Sequence, residues 1–304
     1  MPPIGCPGVI TSAQSYGPER VYRLPGGRMG SNTRLDALRL SGAAAWYFGP
    51  RARRICRAAG SGPRHALHEL ERSWAADVSD YLRIRWDIAG LENVVPGRRS
   101  IVVALHEGFA DALALLRLGL DLRFVARDEL AEWPTLGRYL STTGQLLVEE
   151  AAPRSSYRRL IRDGGAALDG GEAVVMFAQG SILGVETAFW PEAFRLAELL
   201  DAWVVPVALS GSHLVWEYPY TPLVRRDQRM SMRVLAGVPP QRAVAEAQSI
   251  ERELKRFVLS GEMASPRRFR PEVDGYWDGY RYEIDTDFPG LAAQVAEHRA
   301  ALAK

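Results

Sequence analysis

Short apolar runs recur through the middle of this chain, and they constrain its fold more than any other feature. They are Ile101-Val-Val-Ala-Leu105, Leu122-Arg-Phe-Val-Ala126, Gln145-Leu-Leu-Val148, Glu172-Ala-Val-Val-Met-Phe177 and Trp203 to Leu209. Each is too short for a buried helix, and most are rich in the β-branched and aromatic residues that suit strands. Segments of helical length separate them: Phe109 to Leu120, Glu129 to Thr143 with a break at Pro134, Ser155 to Leu168, and Glu192 to Leu200. Runs that are apolar without alternation need cover on both faces, and strand–helix alternation supplies it. The pattern predicts an α/β fold with a mostly parallel central sheet covered by helices.

The flanks are less regular. His65 to Tyr81 reads as a helix, and the alternating Leu82-Arg-Ile-Arg-Trp-Asp-Ile88 as a strand. Beyond Ser210, His213 to Tyr220 and Met230 to Ala236 read as strands at the sheet edge, Gln241 to Leu259 as an amphipathic helix, and Leu291 to Leu302 as a closing helix. This divides the chain into an arm expected to be poorly ordered (1–35), an N-terminal helical segment (36–81), a main domain (82–261) and a C-terminal extension packed on it (262–304). Within the second segment, Leu38, Leu40, Trp46, Tyr47 and Phe48 precede Arg51, Arg53, Arg54 and Arg57. Such a stretch reads as a helix docked on the domain with solvated arginines, or as one lying in a membrane interface.

The 304 residues carry a net charge of only +2, which gives no reason to expect a nucleic-acid partner. Lysine occurs only at Lys255 and Lys304, so a phosphate-loop lysine or an early Schiff-base lysine is excluded. Cys6 and Cys56 show no metal-ligand spacing and suggest a reducing compartment, the cytoplasm or the inner face of its membrane. No apolar run approaches the roughly 18 residues that span a bilayer.

Chemistry enters at His106, directly after the run ending at Leu105, with Asp111 five positions on. Imidazole is the side chain best suited to take a proton near neutral pH, and a nearby carboxylate can orient it and stabilise its charged form. A fully helical His106–Asp111 segment would hold the two about 140° apart. They can meet only if His106 sits on a strand-to-helix turn, which Gly108 permits. Other segments leave strands on what should be the same edge: Arg127-Asp-Glu-Leu130, Ala178-Gln-Gly-Ser181 and Ser210-Gly211. The carboxyl ends of strands form the ligand crevice in open α/β sheets. His65, His68 and His298 fall in predicted helices and read as structural, whereas His213 could line the crevice.

From Leu82 to Gly211 the chain resembles the glycerolipid acyltransferases, typified by 1-acylglycerol-3-phosphate acyltransferase. The family's His–four residues–Asp block corresponds to His106 and Asp111. Its basic-x-Glu-Leu, Pro, Gly block corresponds to Arg127-Asp-Glu-Leu130, Pro134 and Gly137. Its Phe-Pro-Glu-Gly-Thr-Arg-Ser block reads Phe177-Ala-Gln-Gly-Ser-Ile-Leu183, and its Val-Pro-Val block reads Val205-Pro-Val207. The resemblance implies an O-acyltransferase with His106 as general base and Asp111 orienting it. It implies acyl-CoA or acyl carrier protein as co-substrate, a lipid acceptor, no metal and no other cofactor. Gln179, Gly180 and Ser181 would contact substrate, with backbone N–H groups around Gly180 as candidate oxyanion donors. Departures concern the acceptor: Gln179 replaces an acidic residue, Ile182 an arginine, and Glu149 and Glu150 stand where an arginine is expected. Guanidinium grips phosphate bidentately, so Arg123, Arg127, Arg154 and Arg158 are the candidates to compensate. Two other readings remain open at this stage. One is a catalytically inactive lipid-binding protein of the same fold, favoured by Gln179 and Ile182. The other is an acyl-ester hydrolase using His106 and Ser181.

Overall fold

A computed structural model describes residues 20–24, 27–31, 35, 38, 42–43, 45–108, 110–132, 136–149, 152–180, 189–215 and 225–259. Strands β1 (Arg20–Leu24) and β2 (Gly27–Ser31) pair antiparallel inside the segment expected to be an arm. A seven-stranded sheet forms the centre: β3 (Arg85–Ala89), β4 (Ser100–Ala104), β5 (Leu122–Arg127), β6 (Leu146–Val148), β7 (Ala173–Phe177), β8 (Trp203–Ser210) and β9 (Arg229–Val234), in the order β3-β9-β8-β4-β7-β5-β6. β8, β4, β7, β5 and β6 run parallel, while β9 is antiparallel to β8 and parallel to β3. The fold is α/β with a mostly parallel sheet, as the alternation predicts.

Every residue of β4 is buried because it contributes to two cores at once. Val102 and Ala104 pack on one face with Ala75, Val78, Leu113 and Leu115. Ile101, Val103 and Leu105 pack on the other with Leu160, Phe194, Leu196 and Leu254. The first face is covered by α2 (Arg64–Tyr81) and α3 (Asp111–Leu115). The second is covered by α5 (Pro153–Asp169), α6 (Glu192–Leu199) and α8 (Pro240–Leu259). Helix α1 (Ala52–Ser61) lies against α4 (Leu136–Thr143) and α2. Before α1, a wide helical turn at Tyr47–Arg51 docks on α2 through Tyr47 Oη donating to the Asp77 carbonyl and Trp74 Nε1 donating to the Tyr47 carbonyl.

Two sequence expectations move. The strand expected from Leu82 begins at Arg85, because Leu82 and Ile84 donate back to Val78 and Ser79 and close α2 first. The strand expected from His213 begins instead as a short helix, α7 (Ser212–Val215), with the remainder of the expected strand outside the described residues. Gly211, at φ +93°, turns the chain off the sheet, and Leu214 N–H bonds its carbonyl. The closing helix and the C-terminal extension also lie outside the described residues.

At the amino edge of the sheet a buried charged cluster ties α2 to β7. His68 Nδ1 lies 2.8 Å from Glu71, its Nε2 lies 2.6 Å from Glu172, and Arg64 and Arg123 donate to Glu172. Burial pushes the His68 imidazole down, but the two carboxylates outweigh it and raise it from 6.5 to about 9. Burial likewise pushes Glu172 up, yet donors from His68, Arg123 and Arg64 outweigh that and lower it from 4.5 to about 2.

Candidate active site

β4 is hydrogen-bonded on both sides, so three strand exits sit side by side. Ala104 pairs with Phe177 in β7 and with Val207 in β8. Two residues further on, His106 is therefore level with Gln179. The β5–β7 ladder ends at Phe124 and Val175, before the β4–β7 ladder does, and β5 turns its remaining length to β6. The sheet thus opens beside the His106 edge, on the side of β5.

The turn that leaves β4 folds around one carboxylate oxygen. Asp111 Oδ2 accepts from His106 Nδ1 at 2.7 Å, from Glu107 N–H at 2.7 Å and from Gly108 N–H at 3.0 Å. Asp111 opens α3 and is fully buried. Two backbone donors already require that oxygen to accept, so Nδ1 carries the imidazole proton and Nε2 keeps its lone pair. No described residue bonds Nε2. The ring stacks on Phe177 with centroids 3.9 Å apart and planes 15° apart, and its side chain is 21% exposed. One carboxylate and one aromatic face fix the base, and one side stays open.

Gln179 completes the arrangement. Its Oε1 accepts the His106 backbone N–H at 2.9 Å, its carbonyl accepts Trp190 Nε1 at 3.0 Å, and the residue is 2% exposed. Its Nε2 is buried with no partner among the described residues. A buried unsatisfied donor costs about 1–3 kcal/mol, so its retention calls for an explanation, a catalytic or ligand-binding role among them. Gly180, at φ +68°, donates its N–H to the Phe177 carbonyl at 3.0 Å. The Gly180 amide itself thus closes a tight turn, and the backbone N–H groups that follow it lie outside the described residues.

Residues 85–210 match the Acyltransferase family model. The chain is 28% identical over 155 residues to a 1-acyl-sn-glycerol-3-phosphate acyltransferase of Chlamydomonas reinhardtii, a match that spans 49% of this chain and 45% of that relative. The chain thus covers less than half of the relative's length. A solved structure, the 1-acyl-sn-glycerophosphate (LPA) acyltransferase from Thermotoga maritima, superposes with a TM-score of 0.57 at 18% identity, over 73% of this chain and 94% of that one. Residues 85–210 form an Acyltransferase-family domain.

Within the acyltransferase domain, His106, Asp111, Gln179 and Gly180 come together. The arginines do not join them. Arg127, at the end of β5, turns to Glu129 at 3.0 Å. Arg123 is committed to Glu172 and the Gly144 carbonyl at the amino edge, which removes it as a phosphate ligand. Arg154 and Arg158 are exposed in the first turns of α5, beyond the outermost strand β6, and Glu149 is exposed where β6 ends. Ser181, Ile182, Pro134 and Glu150 lie outside the described residues, as does the His213 side chain. Trp190 is exposed and lies against Gly180.

The sequence reading passed over two residues. Phe177 supports the base from below. Glu107, fully buried beside it, accepts the Gly211 N–H at 3.0 Å and so ties the β4 exit to the β8 exit. A fully buried charged residue type at the mouth of a strand was the available signal. Among the described residues no group of three or more His, Cys, Asp or Glu could hold a metal, and no helix is long and apolar enough to cross a membrane.

Proposed function

We propose that the domain is an O-acyltransferase. It moves a fatty acyl group from an acyl thioester, acyl-CoA or acyl carrier protein, to a hydroxyl of a (lyso)glycerolipid or related lipid, with His106 as general base. One observation carries this reading: a buried carboxylate holds His106 Nδ1 while Nε2 stays unbonded at adjoining strand exits. Nε2 takes the proton of the acceptor hydroxyl. The oxygen attacks the thioester carbon, and the tetrahedral intermediate collapses with loss of the thiolate. The imidazolium, stabilised by Asp111, returns its proton to that sulfur.

Gln179 and Gly180 stand beside His106, where the thioester and acceptor would meet, and Ser181, next in sequence, is proposed as a further substrate contact. For an anionic headgroup the proposed cationic contacts are Arg127 at the end of β5 and Arg154 and Arg158 in the exposed first turns of α5, all of them away from the His106–Gln179 pair. Membrane contact is the second part of the reading. Leu35, Leu38, Trp46 and Phe48 are exposed, and so are Arg53, Arg54 and Arg57 in the adjoining helix. An apolar and aromatic surface beside arginines suits an anionic lipid interface, where each arginine contributes about 1 kcal/mol. Tyr47 docks on α2, and Phe48 packs edge-to-face on Trp74 of the same helix with centroids 5.8 Å apart while remaining partly exposed, so Leu35, Leu38 and Trp46 are the residues proposed to meet lipid.

The test is turnover of acyl-CoA and acyl carrier protein thioesters by the purified protein with a panel of lyso-lipids, followed by mass spectrometry. Esterified lipid that forms only when an acceptor is present supports acyl transfer. Fatty acid release that an acceptor does not divert into esterified lipid indicates a hydrolase, slow release that it does divert is the residual reaction of a transferase with water, and lipid retained without turnover indicates a binding protein.

A further inference from the structure

We propose that the side-chain amide of Gln179 holds the thioester carbonyl oxygen and stabilises it as it becomes an oxyanion. This rests on the acyl-transfer reading and assigns the donor that such a reaction requires. Orientation comes first. Gln179 Oε1 accepts the His106 N–H, and only a carbonyl oxygen can do so, which leaves the NH2 group as the other end of the amide. That group is out of water and has no partner among the described residues. A site that leaves an N–H donor dry and unspent is arranged for an oxygen that carries lone pairs and no proton.

Placement comes second. The β4–β7 register sets Gln179 level with His106 on the neighbouring strand, and neighbouring strands lie about 4.8 Å apart. The Oε1 bond to the His106 N–H keeps the amide next to the base, so a tetrahedral carbon attacked from the imidazole side would turn its oxyanion towards the amide. Rigidity comes third. Trp190 Nε1 holds the Gln179 carbonyl, and the Gly180 N–H closes the turn onto Phe177. The donor is therefore preorganised, and no rearrangement is needed as charge develops. The same closure spends the Gly180 amide, whereas the Gln179 side-chain amide is unspent among the described residues.

The shared chemistry is an acceptor oxygen, which an acceptor lipid's carbonyl or phosphate could also supply. The experiment separates the sources. Gln179→Glu keeps an oxygen for the His106 N–H and replaces the donor with a carboxylate. Steady-state transfer and acceptor-free thioester hydrolysis are measured on the 304-residue chain. The donor role predicts that kcat for transfer falls roughly 10²–10³-fold, that hydrolysis falls in parallel, and that the KM for acceptor is little changed. Gln179→Met, near-isosteric and uncharged, should show the same parallel loss and serves if the glutamate variant does not fold. Wild-type kcat in either folded variant overturns the proposal. So does a loss confined to acceptor KM with hydrolysis intact, which would assign the amide to the acceptor. A wild-type protein that turns over no thioester removes the acyl-transfer reading itself, and the donor role with it.

Discussion

Replacing Asp111 separates two jobs that one oxygen performs. Asp111 Oδ2 receives the His106 Nδ1 proton and closes the turn through the Glu107 and Gly108 N–H groups. In Asp111→Ala both backbone donors lose their acceptor in a place water does not reach. At about 1–3 kcal/mol for each buried orphan the loss is roughly 2–6 kcal/mol, a large part of the roughly 5–15 kcal/mol that holds a domain folded. Asp111→Asn behaves differently. The same two donors select the amide oxygen over the amide nitrogen, so Nδ1 keeps an acceptor and Nε2 keeps its lone pair. What disappears is the charge. Hydrogen bonds to charged groups contribute about 1.5–3 kcal/mol against 0.5–1.5 for neutral ones, so transition-state stabilisation falls by roughly 1–1.5 kcal/mol, about tenfold in kcat. Urea unfolding and steady-state transfer on both variants measure the two terms. An alanine variant as stable as wild type would refute the turn-closing role. An asparagine variant that retains wild-type kcat would refute the electrostatic role. A loss near the roughly 10⁴-fold seen when a triad histidine takes the wrong tautomer would show that the backbone donors do not hold the amide.

The buried cluster at the opposite edge makes stability depend on pH in both directions. Glu172 is lowered from 4.5 to about 2, so its contribution is present above 4.5 and lost as pH falls towards 2. His68 is raised from 6.5 to about 9, so its contribution is complete below 6.5 and lost as pH rises through 9. Unfolding free energy should therefore peak between about pH 4.5 and 6.5, and the Glu172→Gln variant should flatten the acid limb of that profile. Glu107→Ala should strand the Gly211 N–H and lower stability by about 1–3 kcal/mol; an unchanged denaturation midpoint would show that the bridge between strand exits carries no weight. Neutralising Arg53, Arg54 and Arg57 together should weaken sedimentation with anionic vesicles by up to about 3 kcal/mol, leaving uncharged vesicles unaffected.

The sequence announces the core strands because burial on both faces writes itself as uninterrupted apolar runs, as in Ile101-Val-Val-Ala-Leu105. It announces His106 and Asp111 through their place at the end of such a run. Register is different in kind. Nothing local says that Ala104 pairs with Phe177, and that pairing alone puts Gln179 beside His106. The pairing of Arg85 with Arg229, which lets β9 enter between β3 and β8, joins residues far apart in the chain. Gly211 shows a local feature outweighing an apolar pattern, since its left-handed turn begins a helix where His213 to Tyr220 suggested a strand. The arginines show the limit of composition. Arg123 shares β5 with Arg127 but sits at its amino end, where the buried carboxylate of Glu172 claims it.

The central claim is that the lone pair on His106 Nε2 takes the acceptor's proton. Single-turnover transfer by His106→Ala, compared with wild type on the same thioester and lipid acceptor, tests it most directly. The account predicts a loss of roughly 10²–10⁴-fold with the unfolding midpoint little changed, because the ring is partly exposed and the Asp111-centred turn survives without it. Transfer at the wild-type rate by a folded alanine variant would contradict it.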